Sequence, residues 1–138
     1  MLTVRSARAA DIPGVLRIWT AAEAEPSVTD DESSLRALFS RDADALMVAE
    51  VEGAAVGTLI ATWDGWRGHF YRLAVLPQHR RRRVASELVH VAEQRLRALG
   101  AKRLNAIVVD GQPWETGFWR AAGYEAQSDR IRFVKNTG

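Results

Sequence analysis

The feature that most constrains the fold is a strand, a long amphipathic helix and a second strand that follow one another. The segment "HFYRLAVL" (69–76) alternates like a strand, and apolar residues recur at helical spacing from 84 to 99, where Gly100 ends the helix. The nearly continuous apolar run "RLNAIVV" (103–109) predicts a strand buried on both faces. Two strands joined by one helix are predicted to lie parallel, through a right-handed crossover.

The first half of the chain supplies further elements. "LTVRSA" (2–7) predicts a strand, followed by a helix that begins near Asp11 and a shorter helix over "ESSLRALFS" (32–40). "ALMVAEVEGAAVGTLIATW" (45–63) predicts a β-hairpin that turns at Glu52-Gly53. Two helices therefore precede the central strands.

The last part of the chain predicts a short helix over "WETGFWRAAGYE" (114–125) and a final strand over "RIRFVKN" (130–136). The element order is thus βααβββαβαβ. This order predicts an α/β fold with a mixed, mostly antiparallel sheet flanked by helices. A length of 138 residues with 47% hydrophobic content predicts one domain over residues 1–138.

Composition excludes several kinds of site. The chain has no cysteine, so disulfides, thiolate nucleophiles and cysteine metal sites are absent, which fits a cytoplasmic protein. The three histidines, His69, His79 and His90, lack metal-ligand spacing, and we expect no metal. No apolar stretch approaches the roughly 20 residues that cross a bilayer, so we expect no membrane partner.

The long helix begins without a capping residue. In "LAVLPQHRRRRVASELV" (73–89), four arginines precede Val84, and no Ser, Thr, Asp or Asn stands in the usual capping place. The first N–H groups therefore need another partner, and an anion suits them because a helix start carries about half a positive charge. We expect the main chain of Arg81 through Ser86 to wrap a diphosphate, with the arginine side chains adding charge.

The same stretch resembles the acetyl-CoA signature of the GNAT superfamily of N-acetyltransferases. That pattern is a strand ending in Val, then x-Pro, Arg or Gln, two free positions, Gly, one free position, and Gly or Ala. Arg80 matches its first position and Ala85 its last, whereas Arg83 stands where the family prefers glycine. The element order also matches the family along almost the entire chain. The resemblance implies acetyl-CoA as acyl-donor cosubstrate.

The resemblance also implies which residues bind this cosubstrate. In the family, the strand before the helix hydrogen-bonds the pantetheine arm through its backbone, and the following loop holds the pyrophosphate. A side chain at position 83 is tolerable if it points outward with φ below zero, but it makes close phosphate approach harder. The positions carried over are Leu73, Ala74, Val75, Arg80, Arg81, Arg82, Arg83, Val84, Ala85 and Ser86.

"QPWETGFWRAAGY" (112–124) resembles the second signature of the family and implies two further cofactor-binding residues. Gln112 stands where asparagine is usual, and Trp119 stands where a tyrosine often protonates the departing thiolate. An indole N–H cannot serve as an acid. A thiol with a pKa near 8.5 is nevertheless a tolerable leaving group.

An amine acceptor must lose a proton before it attacks, because an alkylamine has a pKa of about 10.4. Alternation along the strand predicts that His69 and Tyr71 share a face with Leu73 and Val75. In the family, the base often lies at one of the two strand positions that His69 and Tyr71 occupy here. We therefore expect His69, directly or through water, to be the catalytic base and Tyr71 to be the second candidate. The alternative that His69 has no catalytic role stays open.

Other residues are candidates for the acceptor side. Trp63 and Trp66 flank a turn and could line a pocket, and Glu25 lies in an acidic stretch that could attract a cationic amine. Asp64 and Asp110, at strand ends, are weaker candidates for the base. The sequence does not identify the amine, which could be a small molecule or a peptide.

The predicted function is transfer of an acetyl group to a primary amine by direct attack in a ternary complex, since no cysteine is available for an acyl-enzyme. One alternative is a nucleic-acid-binding domain that uses the 80–83 arginine run, although aromatics do not interleave with it and we expect no nucleic-acid partner. The other is an acyl-CoA sensor without turnover, which Arg83 and Trp119 suggest. Pairing of two copies through the final strand stays open.

Overall fold

The computed structural model describes residues 1–109 and 113–138. The chain forms two compact units, residues 1–107 and 108–138. The first unit contains every described strand and three helices, and the second contains one helix. The elements are β1 (Leu2–Ser6), α1 (Ile12–Ala21), α2 (Glu32–Arg41), β2 (Leu46–Val51), β3 (Ala54–Trp63), β4 (Gly68–Val75), α3 (Val84–Leu99), β5 (Leu104–Ala106) and α4 (Pro113–Ala121).

The five strands form one sheet in the order β1-β2-β3-β4-β5. Neighbours are antiparallel from β1 to β4, and β4 pairs with β5 in parallel. The parallel pair is joined through α3, as the strand, helix and strand of the sequence predict. The α/β class and the mixed, mostly antiparallel sheet are therefore confirmed.

Helices cover both faces of the sheet. On one side, here called the α1–α2 face, apolar side chains of α1 and α2 pack with residues of β2, β3 and β4. On the other side, the α3 face, two glycines allow close approach of the helix. A Cβ at Gly57 would lie 2.9 Å from Cγ1 of Val84, and one at Gly68 would lie 2.8 Å from Cδ1 of Leu96. The core members on the α1–α2 face include Ile12, Val15, Ile18, Trp19, Leu35, Leu46, Val48, Ile60 and Ala74.

A β-bulge interrupts β4. Thr58 of β3 lies opposite Ala74, but Ile60 lies opposite Tyr71, so two residues of β4 stand opposite one residue of β3. The first of the two, Arg72, has a φ of 55°. This left-handed conformation shifts the alternation of β4 by one residue.

The shift separates side chains that simple alternation places together. Tyr71 and Ala74 both pack against the core of the α1–α2 face, whereas Val75 pairs with a glycine that α3 covers. The prediction that His69 and Tyr71 share a face with Leu73 and Val75 is therefore wrong. The inserted residue turns the later pair, Leu73 and Val75, towards α3.

Two predictions about the end of the sheet are also wrong. β5 has three half-buried residues, and Ile107 beyond it is 43% exposed, because β5 pairs with β4 alone among the described strands. The segment predicted as a final strand has no strand structure in the described chain. Its apolar residues Ile131, Phe133 and Val134 are exposed. Alternation is a local signal, and a strand also needs a neighbouring backbone edge.

Candidate functional site

The start of α3 has the unfilled cap that the sequence predicts. Arg83 is the residue before the helix, and no side chain of the described chain caps it. Its φ of 66° and ψ of 11° are left-handed, so the condition of a φ below zero, under which a side chain is easily tolerated at this position, is not met. The chain turns into the helix through a conformation that glycine adopts without cost, which explains why glycine suits this position. The N–H groups of the first turn point out of the helix end.

The loop before α3 repeats this conformation. Arg81 has a φ of 63°, and Arg82 separates it from Arg83. Successive N–H groups in mixed left- and right-handed conformations converge into a concave surface that binds anions. The side chains of Arg81, Arg82 and Arg83 are exposed. Main-chain donors and the helix dipole thus favour an anion at the start of α3, where the three exposed arginines add positive charge, and a diphosphate fits that donor set.

Arg80 has a different environment from its three neighbours. Its Nε donates to the carbonyl of Val75 at 3.1 Å, and its Nη2 donates to the carbonyl of Ala22 at 3.4 Å. The guanidinium therefore links the end of β4 to the end of α1 and fixes the loop. Its predicted contact with a cofactor stays a prediction.

One edge of β4 has no strand beside it over half its length. β5 pairs with Gly68 through Phe70, and within the described residues no strand continues that side of β4 as far as Val75. An unpaired edge can accept an extended ligand through main-chain hydrogen bonds. Leu73, Ala74 and Val75 have buried side chains, so backbone is what they can offer. The geometry fits the pantetheine-binding role that the family resemblance implies for them.

His69 lies near the start of β4 and contacts Asp64 across the β3–β4 turn. The Nε2 of His69 is 2.9 Å from Oδ2 of Asp64. The other oxygen, Oδ1, accepts the main-chain N–H groups of Trp66 at 2.8 Å and Arg67 at 2.6 Å. The bond from Arg67, followed by that from His69, lowers the pKa of Asp64 from 3.8 to about 2. Such a carboxylate is a poor base near neutral pH and a good acceptor for an imidazole N–H.

Two further side chains surround His69. Nδ2 of Asn105, on β5, lies 3.4 Å from its Nδ1. The ring of Tyr71 stacks beside it with ring centroids 6.3 Å apart. His69 keeps 23% of its side chain exposed. It is therefore held on two sides and remains accessible.

The predicted acceptor residues lie in three different places. Trp63 pairs with Gly68, and its ring lies 3.9 Å from where a Cβ of Gly100 would stand, so it packs at the end of α3. This is the face of the sheet opposite to His69. Trp66 is 69% exposed in the β3–β4 turn, and Glu25 is exposed between α1 and α2. The structure thus brings Trp66, rather than Trp63, next to the turn that holds His69.

A cluster at the β4 bulge has no counterpart in the sequence predictions. Arg72 donates to both carboxylate oxygens of Asp30, at 3.0 and 2.6 Å. Its guanidinium carbon lies 5.3 Å from the ring centroid of Trp19, whose Nε1 donates to Thr58 at 2.9 Å. The connection between α1 and α2 is therefore tied to β4. Nothing in the sequence spacing pairs two residues that lie 42 positions apart.

The second unit contains one predicted cofactor residue that the structure describes. Trp119 of α4 is 6% exposed. Its ring makes edge contacts with Phe118 and Tyr124, at centroid distances of 5.3 and 4.8 Å. Gln112 and Asp110 lie outside the described residues. The roles assigned to these positions stay predictions.

The sequence of the chain matches the profile of a known protein family. The profile of the acetyltransferase (GNAT) family matches residues 12–124. The chain belongs to the GNAT family. In the part of this GNAT protein that the structure describes, no group of three or more His, Asp or Glu side chains could hold a metal ion. No helix there is both long and apolar enough to cross a membrane.

Solved structures share the fold of this GNAT protein. Ard1 from Thermoplasma volcanium is 20% identical, with 92% of this chain and 84% of that chain covered and a TM-score of 0.82. The ribosomal-protein-S18-alanine N-acetyltransferase from Escherichia coli is 19% identical, with 92% and 80% covered and a TM-score of 0.73. The aminoglycoside N-acetyltransferase AAC(6')-Iy, solved with CoA, is 17% identical, with 99% and 95% covered and a TM-score of 0.75.

Proposed function

We propose that this GNAT protein is an acetyl-CoA-dependent N-acetyltransferase that acetylates a primary amine by direct attack in a ternary complex. The observation that carries the proposal is the start of α3, where two left-handed arginines and a helix end without a side-chain cap offer main-chain donors that suit an anion. The unpaired edge of β4 leads directly into this loop. The similar proteins named above include enzymes that acetylate an alanine of a ribosomal protein and an aminoglycoside, which supports an amine acceptor.

The residues that would hold acetyl-CoA act mainly through their backbone. The edge formed by residues 73–75 suits the pantetheine arm, and the loop of residues 81–86 suits the diphosphate. Acetyl-CoA supplies the acetyl group as an activated thioester. One helix-end contact contributes about 0.3 to 2 kcal/mol, so several main-chain donors and the exposed guanidinium groups must act together.

His69 is the base in this proposal. The acceptor amine is mostly an ammonium ion at neutral pH, and it becomes a nucleophile when it gives one proton to the imidazole. An imidazole suits this task because it exchanges protons near neutral pH. Asp64 stabilises the charged ring that results. Tyr71, stacked beside His69, forms part of the wall on the α1–α2 face.

The first test is calorimetric titration with acetyl-CoA and, separately, with duplex DNA at two salt concentrations. We expect heat with acetyl-CoA and none with DNA. Arg82→Glu places a negative charge in the loop and should weaken acetyl-CoA binding at least tenfold. Arg97→Glu makes the same change at the exposed far end of α3 and should leave the affinity within about twofold. Thiol release across a panel of amines then measures turnover.

Three outcomes would contradict the proposal. Heat with DNA alone, weakening as salt rises, would favour a nucleic-acid-binding domain. Equal effects of Arg82→Glu and Arg97→Glu on acetyl-CoA affinity would show that the loop is not part of the cofactor site. Binding of acetyl-CoA without thiol release for any amine would favour a sensor.

A further inference from the structure

We propose that Asp64 and Asn105 are positioning residues that give the two nitrogens of His69 separate tasks. Nε2 keeps its proton against Asp64, and Nδ1 takes the proton of the acceptor amine while the amide of Asn105 turns to follow it. This inference rests on the proposed function, because it assumes that His69 is the base.

The task of Nε2 follows from the chemistry of its partner. An ionised carboxylate can accept hydrogen bonds and cannot donate them, so Nε2 at 2.9 Å from Oδ2 of Asp64 must carry a proton. Asp64 cannot easily turn away, because its Oδ1 is held by the N–H groups of Trp66 and Arg67. Its depressed pKa keeps it ionised across the neutral range. The turn thus fixes both the orientation of the ring and its tautomer.

The task of Nδ1 follows from the tautomer, because the proton on Nε2 leaves Nδ1 as the nitrogen that can accept. In the neutral ring, Nδ1 carries the lone pair and accepts from the amide of Asn105, at a long distance of 3.4 Å. Asn105 is the register partner of His69, and pairing of β4 with β5 ends one residue later, at Phe70. Nδ1 therefore lies on the side where the free edge of β4 begins. This is the edge assigned to the acetyl donor.

Asn105 suits both charge states of the ring. When one proton passes from the ammonium group to Nδ1, the amine becomes neutral and both ring nitrogens carry hydrogen. The amide of Asn105 must then present its oxygen, because two N–H groups would repel. An amide carries a donor and an acceptor on one side chain, so a half-turn is enough. A carboxylate at position 105 would favour the charged ring alone.

Within residues 1–109 and 113–138, the titratable side chains that contact the ring of His69 are Asp64, from the turn, and Tyr71, from the same strand. The guanidinium of Arg67, in the same turn, stacks over the ring of Trp66 at 4.1 Å instead. Changes at Asp64 and Asn105 therefore report on His69 directly.

Asp64→Asn is the decisive variant because it separates the two roles of the carboxylate. An amide oxygen in place of Oδ1 still accepts from Trp66 and Arg67 and keeps the turn. The amide nitrogen in place of Oδ2 now donates to Nε2, which reverses the tautomer and leaves Nδ1 protonated. Nitrogen-resolved NMR of the imidazole, with no ligand present, reads the tautomer directly. We expect Nε2–H in the natural protein and Nδ1–H in the variant.

Kinetics with acetyl-CoA and the fastest amine of the panel complete the test. We expect Asp64→Asn to lower kcat/KM at least 100-fold, close to the loss in His69→Ala, with acetyl-CoA affinity unchanged. Asn105→Asp should keep the ring charged up to a higher pH. The pH at which kcat/KM rises should therefore move upward as well. Asp44→Asn, which removes a carboxylate bonded to Ser6, is the matched control and should change neither tautomer nor rate.

Two results would overturn the inference. One is a natural protein with its proton on Nδ1, and the other is an Asp64→Asn variant with natural tautomer and natural kcat/KM. If acetyl-CoA binds and amines turn over while Asp64→Asn behaves like the natural protein, this inference fails and the proposed function stands. If acetyl-CoA does not bind at all, the proposed function fails, and the NMR measurement still decides the tautomer.

Discussion

At the scale of single residues, backbone strain is concentrated around the candidate site. Five residues other than glycine have positive φ in the described chain, and one of them belongs to the turn of the β2–β3 hairpin. The other four lie at the end of α1, in the β4 bulge and in the loop before α3. Each left-handed residue costs about 1 to 2 kcal/mol, and such strain is typical of functional sites. The five are Glu23, Glu52, Arg72, Arg81 and Arg83.

Arg83→Gly tests whether main chain or side chain matters at the helix start. Glycine relieves the strain of a φ of 66° but gives the unfolded chain more freedom, so we expect a net gain of about 0.5 to 1 kcal/mol in the free energy of unfolding. Urea unfolding measures it. Acetyl-CoA affinity should stay within about threefold, because the backbone donors remain.

Arg83→Ala is the control for this prediction. It removes the same charge but keeps a Cβ, so we expect no stabilisation. If Arg83→Gly and Arg83→Ala both weaken acetyl-CoA binding more than tenfold, the guanidinium of Arg83 rather than the main chain carries the contact.

At the scale of elements, two arginines hold the connection between α1 and α2 against β4. Arg80 bonds the carbonyl of Ala22 at one end, and Arg72 bonds the carboxylate of Asp30 at the other. The intervening residues 23–29 include the exposed Glu25. The predicted acceptor segment is thus fixed at both ends and has its acidic side chains free towards solvent.

Asp30→Asn should loosen this connection. Arg72 is 17% exposed, and loss of its charged partner leaves a largely buried cation, so we expect a loss of about 1 to 3 kcal/mol in stability. Hydrogen exchange within residues 23–31 should rise. Asp129→Asn breaks an ion pair whose side chains are 66% and 77% exposed, and it should cost about 0 to 1 kcal/mol. Equal losses in the two variants would show that the Arg72 pair does not hold the connection.

The elements also show how far sequence reasoning reaches. The bounds of α3 agree with the predicted 84–99, because helical spacing and Gly100 are local signals. The bulge in β4 was not predictable, because an arginine rather than a glycine adopts the left-handed conformation there. The loop proposed to bind an anion and the proposed base His69 could be found from local patterns. The sequence offers Asp64 as a weaker candidate for the base, and no local pattern points to Asn105, because it lies 36 residues from His69.

At the scale of the whole molecule, a charge cluster joins β1 to the segment before α1 and to the neighbouring strand β2. Arg5 of β1 donates to Asp11 at 2.8 and 2.9 Å and to Glu50 of β2 at 3.2 Å. The hydrogen bond from Arg5 lowers the pKa of Asp11 from 3.8 to about 2. A carboxyl whose pKa is lower in the folded state adds stability above about pH 4, and that stability is lost as pH falls through about 2.

Asp11→Asn should therefore change how stability depends on pH. We expect a loss of about 1 kcal/mol at pH 7, smaller than the pKa shift alone suggests because solvent screens a partly exposed pair. The variant should lose less stability than the natural protein between pH 4 and pH 2. Urea unfolding at pH 7, 4 and 2.5 measures both effects. Parallel stability curves for the two proteins would contradict the role of this pair.

The bulge at Arg72 has a consequence for how such a protein can change its specificity. Before the bulge, β4 offers the side chains of residues 69 and 71, and after it β4 offers main chain whose chemistry no substitution alters. Mutations that retune acceptor choice can therefore accumulate on one stretch of the strand without disturbing the other. Laboratory evolution aimed at new amines should begin with position 71 and leave His69, the proposed base, and residues 73–75 untouched.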